Sequence, residues 1–162
     1  MIRFRLPSSE SWQGKAIGRV IHFYFGLTRG MTIGVRAACF DEAGRVFLVR
    51  HSYVAGWHMP GGGVERHETV EEALAKELRE EGNLEMTTRP QLFQLYFNRT
   101  ASKRDHVVFY SVHVTQSAPR PPDREIVECG FFALDALPAG TTKATRNRLL
   151  ELRGDLPPAQ YW

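Results

Sequence analysis

The stretch whose reading decides the fold runs Gly62-Gly-Val-Glu-Arg-His-Glu68 and continues, after seven residues, as Lys76-Glu-Leu-Arg-Glu-Glu-Gly-Asn-Leu84. It opens inside a glycine-rich loop, Trp57-His-Met-Pro-Gly-Gly-Gly-Val64. The spacing predicts a helix from about Thr69 to Glu81. On a wheel of about 100° per residue, Val70, Ala73, Leu74 and Leu78 share the apolar arc. Glu72, Lys76 and Arg79 fall on the opposite, solvated side, which points Lys76 away from the glutamates that follow. Glu77 and Glu81 land on the apolar side and Glu80 at its edge, so three carboxylates crowd one end of a face that packing would fill with Leu or Ala. Like charges three and four residues apart repel, and buried carboxylates are costly without partners. The last helical turns also disfavour negative charge. Two arrangements offset these penalties: a hard divalent cation such as Mg²⁺, or a solvated acidic face paired with Arg or Lys from elsewhere. The preceding loop favours the cation. Gly61, Gly62 and Gly63 carry no Cβ, so their backbone can approach an ion or phosphate closely, and Pro60 holds the entry rigid.

Working outward, Ile33 to Phe40 and Val46 to His51 read as strands, with Asp41-Glu-Ala-Gly44 as the turn between them. Further strands are expected at Gln91 to Asn98, His106 to Thr115 and Ile126 to Ala133. Ala118-Pro-Arg-Pro-Pro-Asp123 reads as a stiff surface loop, because proline cannot continue a ladder. A last helix is expected over Thr142 to Arg153, followed by a loosely held tail, Pro157 to Trp162. Near the start, Ser11 begins a helical pattern in which Ala16, Ile17, Val20, Ile21, Tyr24 and Leu27 repeat until Gly30. This helix is expected to pack on the domain or on a second subunit, as in a homodimer; as a basic amphipathic helix it also suits an anionic membrane surface. Residues 1–30 are thus an N-terminal helical extension and 31–162 the main domain. Strands mixed with three helices make an α/β or α+β fold with a layered core.

The composition fits one domain. At 162 residues, 43% hydrophobic and 24% charged, the chain can bury a core, which excludes disorder, collagen and disulfide scaffolds. Twenty-one Lys and Arg against eighteen Asp and Glu leave a net charge of +3, which suits phosphate-bearing partners but is too small to argue nucleic acid. The apolar stretch from Ala16 to Leu27 is interrupted by Gly18, Arg19, His22 and Gly26, too short and too charged to span a bilayer. Cys39 and Cys129 fall in expected strands and read as reduced, buried thiols. The opening MIRFRLPSSE lacks an apolar core and cleavage site, so the expected compartment is the cytoplasm.

The run from Gly62 to Leu84 resembles the Nudix box, G-x5-E-x7-R-E-U-x-E-E-x-G-U with U aliphatic. Trp57, Pro60, Gly61 and Val64-Glu65 resemble the family's usual lead-in. Glu125 to Pro138, with Phe131-Phe132 and Asp135-Ala-Leu-Pro138, resembles its closing strand and loop, so the likeness covers roughly residues 32 to 138. Two positions depart from the pattern: Lys76 stands for Arg and Asn83 for Gly. Asn tolerates a left-handed cap, so the second change is expected to keep the backbone. Lys76 offers a flexible point charge where Arg would give a bidentate fork.

The resemblance implies an α/β/α sandwich with a mixed sheet. It also implies hydrolysis of a nucleoside diphosphate linked to another moiety, with Mg²⁺ or Mn²⁺. Glu77, Glu80 and Glu81 match the family's metal-binding and catalytic glutamates, and Gly62 the glycine whose carbonyl joins the coordination. Glu77, Glu125 or a residue of the Asn98 to Asp105 loop is the candidate general base. Candidate substrate contacts are Arg50, His51, Tyr53 and Trp57 near the end of the second strand, and Asn98, Arg104 and Asp105 between later strands. The expected substrate is a nucleoside triphosphate, a nucleotide sugar or ADP-ribose. Rival readings are removal of pyrophosphate from RNA 5′ ends and a non-catalytic nucleotide sensor, although sensing alone would not require all three box glutamates. Allylic diphosphate isomerisation would want a cysteine beside the diphosphate.

Overall fold

The computed structural model describes residues 30–162 together with Tyr24. The reading of a helix from Ser11 and of a dimer face along it falls outside the described residues. From Thr32 onward the chain forms one compact unit. In chain order its elements are β1 (Thr32–Phe40), β2 (Val46–His51), β3 (Trp57–His58), α1 (Val70–Gly82), β4 (Leu84–Met86), β5 (Gln91–Phe97), β6 (Asp105–Gln116), β7 (Ile126–Phe132) and α2 (Lys143–Arg153). The turn between β1 and β2 is made by Asp41, whose Oδ1 accepts the N–H groups of Ala43 and Arg45. Gly44 supplies the positive φ of 72° that this turn needs.

The sheet is mixed. β1 runs parallel to β6, from Thr32 opposite Asp105 to Phe40 opposite His113. β4 and β5 both pair antiparallel with β6. β2 meets β1 only at Phe40–Val46, and its remaining length pairs with β3 and β7. Where β2 leaves β1, the glycine loop takes its place: Val35 N–H donates to Gly62 O at 2.8 Å, Ala37 N–H to Pro60 O at 3.1 Å and Val64 N–H to Ile33 O at 2.8 Å. Gly61 is required by this wedge, because at its φ of 140° a Cβ would collide with the Val35 carbonyl and lie 2.8 Å from Arg36 Cα.

Alternation along the strands sends side chains to two cores, one on each face. Val35, Ala37, Cys39, Phe47, Val49, Tyr110 and Val112 pack with Ala73, Leu74 and Leu78 of α1. Ala38, Val46, Leu48, Trp57, Met59, Tyr96 and Phe109 pack with Leu149 of α2. The fold is thus the α/β sandwich with a mixed, open sheet that the resemblance implied. Cys39 is buried and Cys129 half-buried, and both are free thiols. No described helix is long and apolar enough to cross a membrane.

Two expectations need correction. The tail is docked: Phe97 N–H donates to Gln160 O at 2.9 Å, and Trp162 N–H to Phe97 O at 3.2 Å. Arg148, 2% exposed, donates to Tyr161 O at 2.9 Å and stacks over the rings of Tyr96 and Trp162. The second correction concerns Lys76, which does not point away from the glutamates. Its ammonium reaches Glu68 Oε1 at 3.1 Å and lies in the wall of the same cleft as Glu77, Glu80 and Glu81. A lysine stem is long enough to bend around the helix from a position whose Cβ faces outward.

Candidate active site

Helix α1 is fixed at both ends, which fixes the acids it carries. Thr69 and Glu72 form a reciprocal capping box at its start. Asn83 closes it in the left-handed conformation, φ 52°, with its N–H on Arg79 O. Asparagine in the glycine position therefore keeps the cap, as the sequence led one to expect. Glu81 is 5% exposed on the packed side, and its Oε2 accepts the Gly61 N–H at 2.8 Å. The carboxylate of Glu77 lies against Gly62: a Cβ there would overlap it, with Glu77 Cδ 2.5 Å away. Gly61 and Gly62 are thus matched to the two acids as much as to the strand wedge.

Glu77, Glu80, Glu81 and Glu125 line one cleft of about 630 Å³, together with Glu65, Lys76, Arg120, Asp123 and Ile126. Glu125 comes from the segment before β7, and two neighbours position it. Tyr53 Oη donates to its Oε1 at 3.1 Å, and Asp123 Oδ1 accepts its backbone N–H at 2.8 Å. The proline-rich loop is tied to α1 by Arg120, whose Nε donates to Glu80 O at 2.7 Å and whose Nη2 donates to Asp123 Oδ2 at 2.7 Å.

Among the described residues, the acids lining the cleft outnumber its cations, Lys76 and Arg120. Burial pushes the Glu81 carboxyl up to about 7, against the stabilising N–H of Gly61. Burial also raises Glu77; Glu80 and Glu125 add to the rise, and Lys76 and Arg36 oppose it. His51 stands beside Glu81 with Nε2 3.4 Å from Oε1. Burial and the Arg36 guanidinium push the imidazole down to about 4, so it is neutral at physiological pH. Among the described residues, one ligand atom from each of His51, Glu81 and Glu125 lies within 4.8 Å of the others.

The remaining sequence candidates separate into three groups. Asn98 and Asp105 line a second cavity, about 340 Å³, with Arg36, His58, Gly62, Gly63 and Trp162. Asn98 Nδ2 donates to Asp105 Oδ2 at 2.8 Å, and Thr32 Oγ1 to Asp105 Oδ1 at 2.7 Å. Arg50 is exposed and ion-paired with Glu128 at 2.7 Å, while Tyr53 holds Glu125. Trp57 is buried in the α2-side core, edge-on to Phe132 at 5.0 Å, and Arg104 lines neither cavity. Sequence reasoning missed Glu65, Arg120 and Asp123 in the cleft, and Arg36, His58 and Trp162 in the second cavity. The one available signal was the Arg-Pro-Pro-Asp run at 120–123, an anchored turn rather than a loose one.

A glycine wedge holding an acidic helix against a mixed sheet matches known proteins. The NUDIX domain model matches residues 30–152, and the chain belongs to that family. A MutT NUDIX hydrolase from Burkholderia pseudomallei is 29% identical with a TM-score of 0.62, over 73% of this chain and 95% of that one. An ADP-ribose pyrophosphatase from Streptococcus suis is 25% identical with a TM-score of 0.58, over 81% and 95%. A UDP-X diphosphatase shares the fold at 22% identity and a TM-score of 0.59, over 89% and 74%. No curated protein matches the chain.

Proposed function

We propose that this protein is a divalent-cation-dependent hydrolase of the diphosphate linkage in a nucleoside diphosphate derivative: a nucleoside triphosphate, a nucleotide sugar or an ADP-ribose-type compound. The observation that carries the reading is the convergence of Glu77, Glu80, Glu81 and Glu125 on one cleft that Lys76 and Arg120 also line. The donor set fits a hard cation. Glu81 is a buried carboxylate with a raised pKa, the state that an added positive charge relieves, and no described Lys or Arg ion-pairs with it. Glu77, Glu80 and Glu81 would hold Mg²⁺ or Mn²⁺, with the Gly62 carbonyl as a further oxygen beyond its bond to Val35. Such a cation supplies neutralisation of phosphate oxygens and a lowered pKa for water.

The chain's own groups do the rest. Glu125, oriented by Tyr53 and by its Asp123-bound backbone, is placed to take a proton from a water at the cleft; Glu77 is the other carboxylate so placed. Lys76 and Arg120 favour negative charge in the cleft they line. Gly62 touches Glu77 on one side and lines the second cavity on the other, so a diphosphate over the cleft would leave the nucleoside or linked group for Asn98, Asp105, His58 and Trp162. The named neighbours, a MutT hydrolase and an ADP-ribose pyrophosphatase, support the substrate class. Two free thiols accord with the cytoplasm.

The test is a phosphate-release screen with Mg²⁺ or Mn²⁺ over nucleoside triphosphates, dinucleotides, nucleotide sugars, ADP-ribose and triphosphorylated RNA. Turnover of a small nucleotide is expected. Activity on RNA alone would replace the substrate class, and silence across the panel with metal binding intact would make the protein a sensor.

A further inference from the structure

We propose that His51, which lies outside the acidic helix, is a nitrogen ligand of the cleft's cation, making one metal position a His–Glu–Glu site with Glu81 and Glu125. Three observations carry this. The side chain is 3% exposed, and both ring nitrogens are buried without a hydrogen-bond partner. A buried polar atom without a partner is rare and asks for an occupant. Nε2 is aimed at Glu81 Oε1, 3.4 Å away, a separation at which two ligands of one ion can sit. Ligand atoms of Glu81 and Glu125 lie within 4.8 Å of the imidazole nitrogen and of one another. The fold holds the ring in place: His51 ends β2 against β7, and its ring stands 5.1 Å from Tyr53, whose hydroxyl in turn orients Glu125. The two acids and the imidazole are therefore positioned by three separate elements.

The chemistry of the donors sets the ion. Imidazole nitrogen suits borderline transition metals, whereas Mg²⁺ keeps oxygen ligands and water. A His–Glu–Glu position should therefore prefer Mn²⁺ over Mg²⁺. The inference rests on the reading of the cleft as a cation site.

The experiment is equilibrium binding of Mn²⁺ to the full chain by electron paramagnetic resonance, with pulsed measurement of ¹⁴N coupling to the bound ion. The wild type is expected to bind Mn²⁺ more tightly than Mg²⁺ and to show coupling to one imidazole nitrogen. His51→Gln should lose that coupling and at least about tenfold in Mn²⁺ affinity, as even loss of an outer-shell partner can. His58→Gln should keep both; its ring is the neighbouring imidazole, 5.9 Å from His51, and assigns the nitrogen. Mn²⁺ bound to the folded wild type without ¹⁴N coupling overturns the inference while leaving the cation site in place, even if the His51 variant fails to fold. Coupling that survives in His51→Gln or disappears in His58→Gln also overturns it. Absence of Mn²⁺ and Mg²⁺ binding altogether overturns the underlying reading as well.

Discussion

At Glu81 both carboxylate oxygens already have neighbours: Oε2 takes the Gly61 N–H at 2.8 Å, and Oε1 faces His51. Replacing either Glu80 or Glu81 with Gln keeps the shape and removes the charge. Each variant should lose metal-dependent turnover, and the midpoint of thermal unfolding should fall by no more than about 2–4 °C, the shift that ~1 kcal/mol gives at this size. Wild-type rates in both would contradict the proposed function. A second prediction belongs to Asp41. Partial burial would raise its carboxyl, but the N–H groups of Arg45 and Ala43 and the Arg45 guanidinium hold it below its ordinary 3.8. With the folded value depressed, its contribution is present above 3.8 and is lost as pH falls through the lower, folded value. Thermal melts from about pH 6 down to about pH 2 should show Asp41→Asn less acid-sensitive than the wild type below pH 3.8 and less stable above it. Which acids crowd the helix face was readable from a wheel. That His51 points into them was not, because β2 and α1 are brought together only by the sheet.

The elements that the sequence made legible are those with a period long enough to count. β2 spans the expected residues, and α1 and α2 lie within about a residue of theirs. β3 and β4 were missed because two and three residues cannot display a period; each exists only through its partner, β2 for one and β6 for the other. The glycine loop was read as a place for ions or phosphates to approach, and the structure adds that it substitutes for a strand beside β1. This makes Gly62 and Gly61 separable. Gly62→Ala forces the Glu77 carboxylate aside and should cut kcat strongly with little loss of stability. Gly61→Ala drives a methyl into the Val35 carbonyl at an unfavourable φ, and should destabilise by at least about 1–3 kcal/mol. Urea unfolding and steady-state kinetics on the pair distinguish the two effects.

Across the whole molecule, the α2 face is closed by a buried polar network that no local pattern announces. Arg148 and Glu151, 2% and 5% exposed, are bonded to each other, and Glu151 Oε2 accepts the Tyr96 hydroxyl at 2.6 Å. Ala159 N–H and Tyr161 O join the same pair, which is why the tail is held rather than loose. Read as sequence, Pro157-Pro-Ala-Gln-Tyr-Trp162 has no strand or helix signal; its order comes from contacts with β5 and α2. Tyr96→Phe leaves a buried carboxylate oxygen short of a donor and should lower stability by about 1–3 kcal/mol in chemical unfolding. Because Trp162 lines the second cavity, the same variant is expected to raise KM more than it lowers kcat.

The bond that orients Glu81 comes from the main chain, at Gly61. Only proline removes a backbone amide, and any other side chain at Gly61 would collide with Val35, so a substitution there displaces the loop and lowers stability instead of re-aiming this acid alone. The groups that line the second cavity carry no such protection: His58, Asn98, Asp105 and Trp162 act through side chains that a single codon change can replace. Under selection, variants of this scaffold should therefore drift in which compound they accept while retaining the hydrolytic step. Laboratory evolution toward new substrates has its room in the walls of the second cavity, not in the acidic cleft or the glycine ribbon between them.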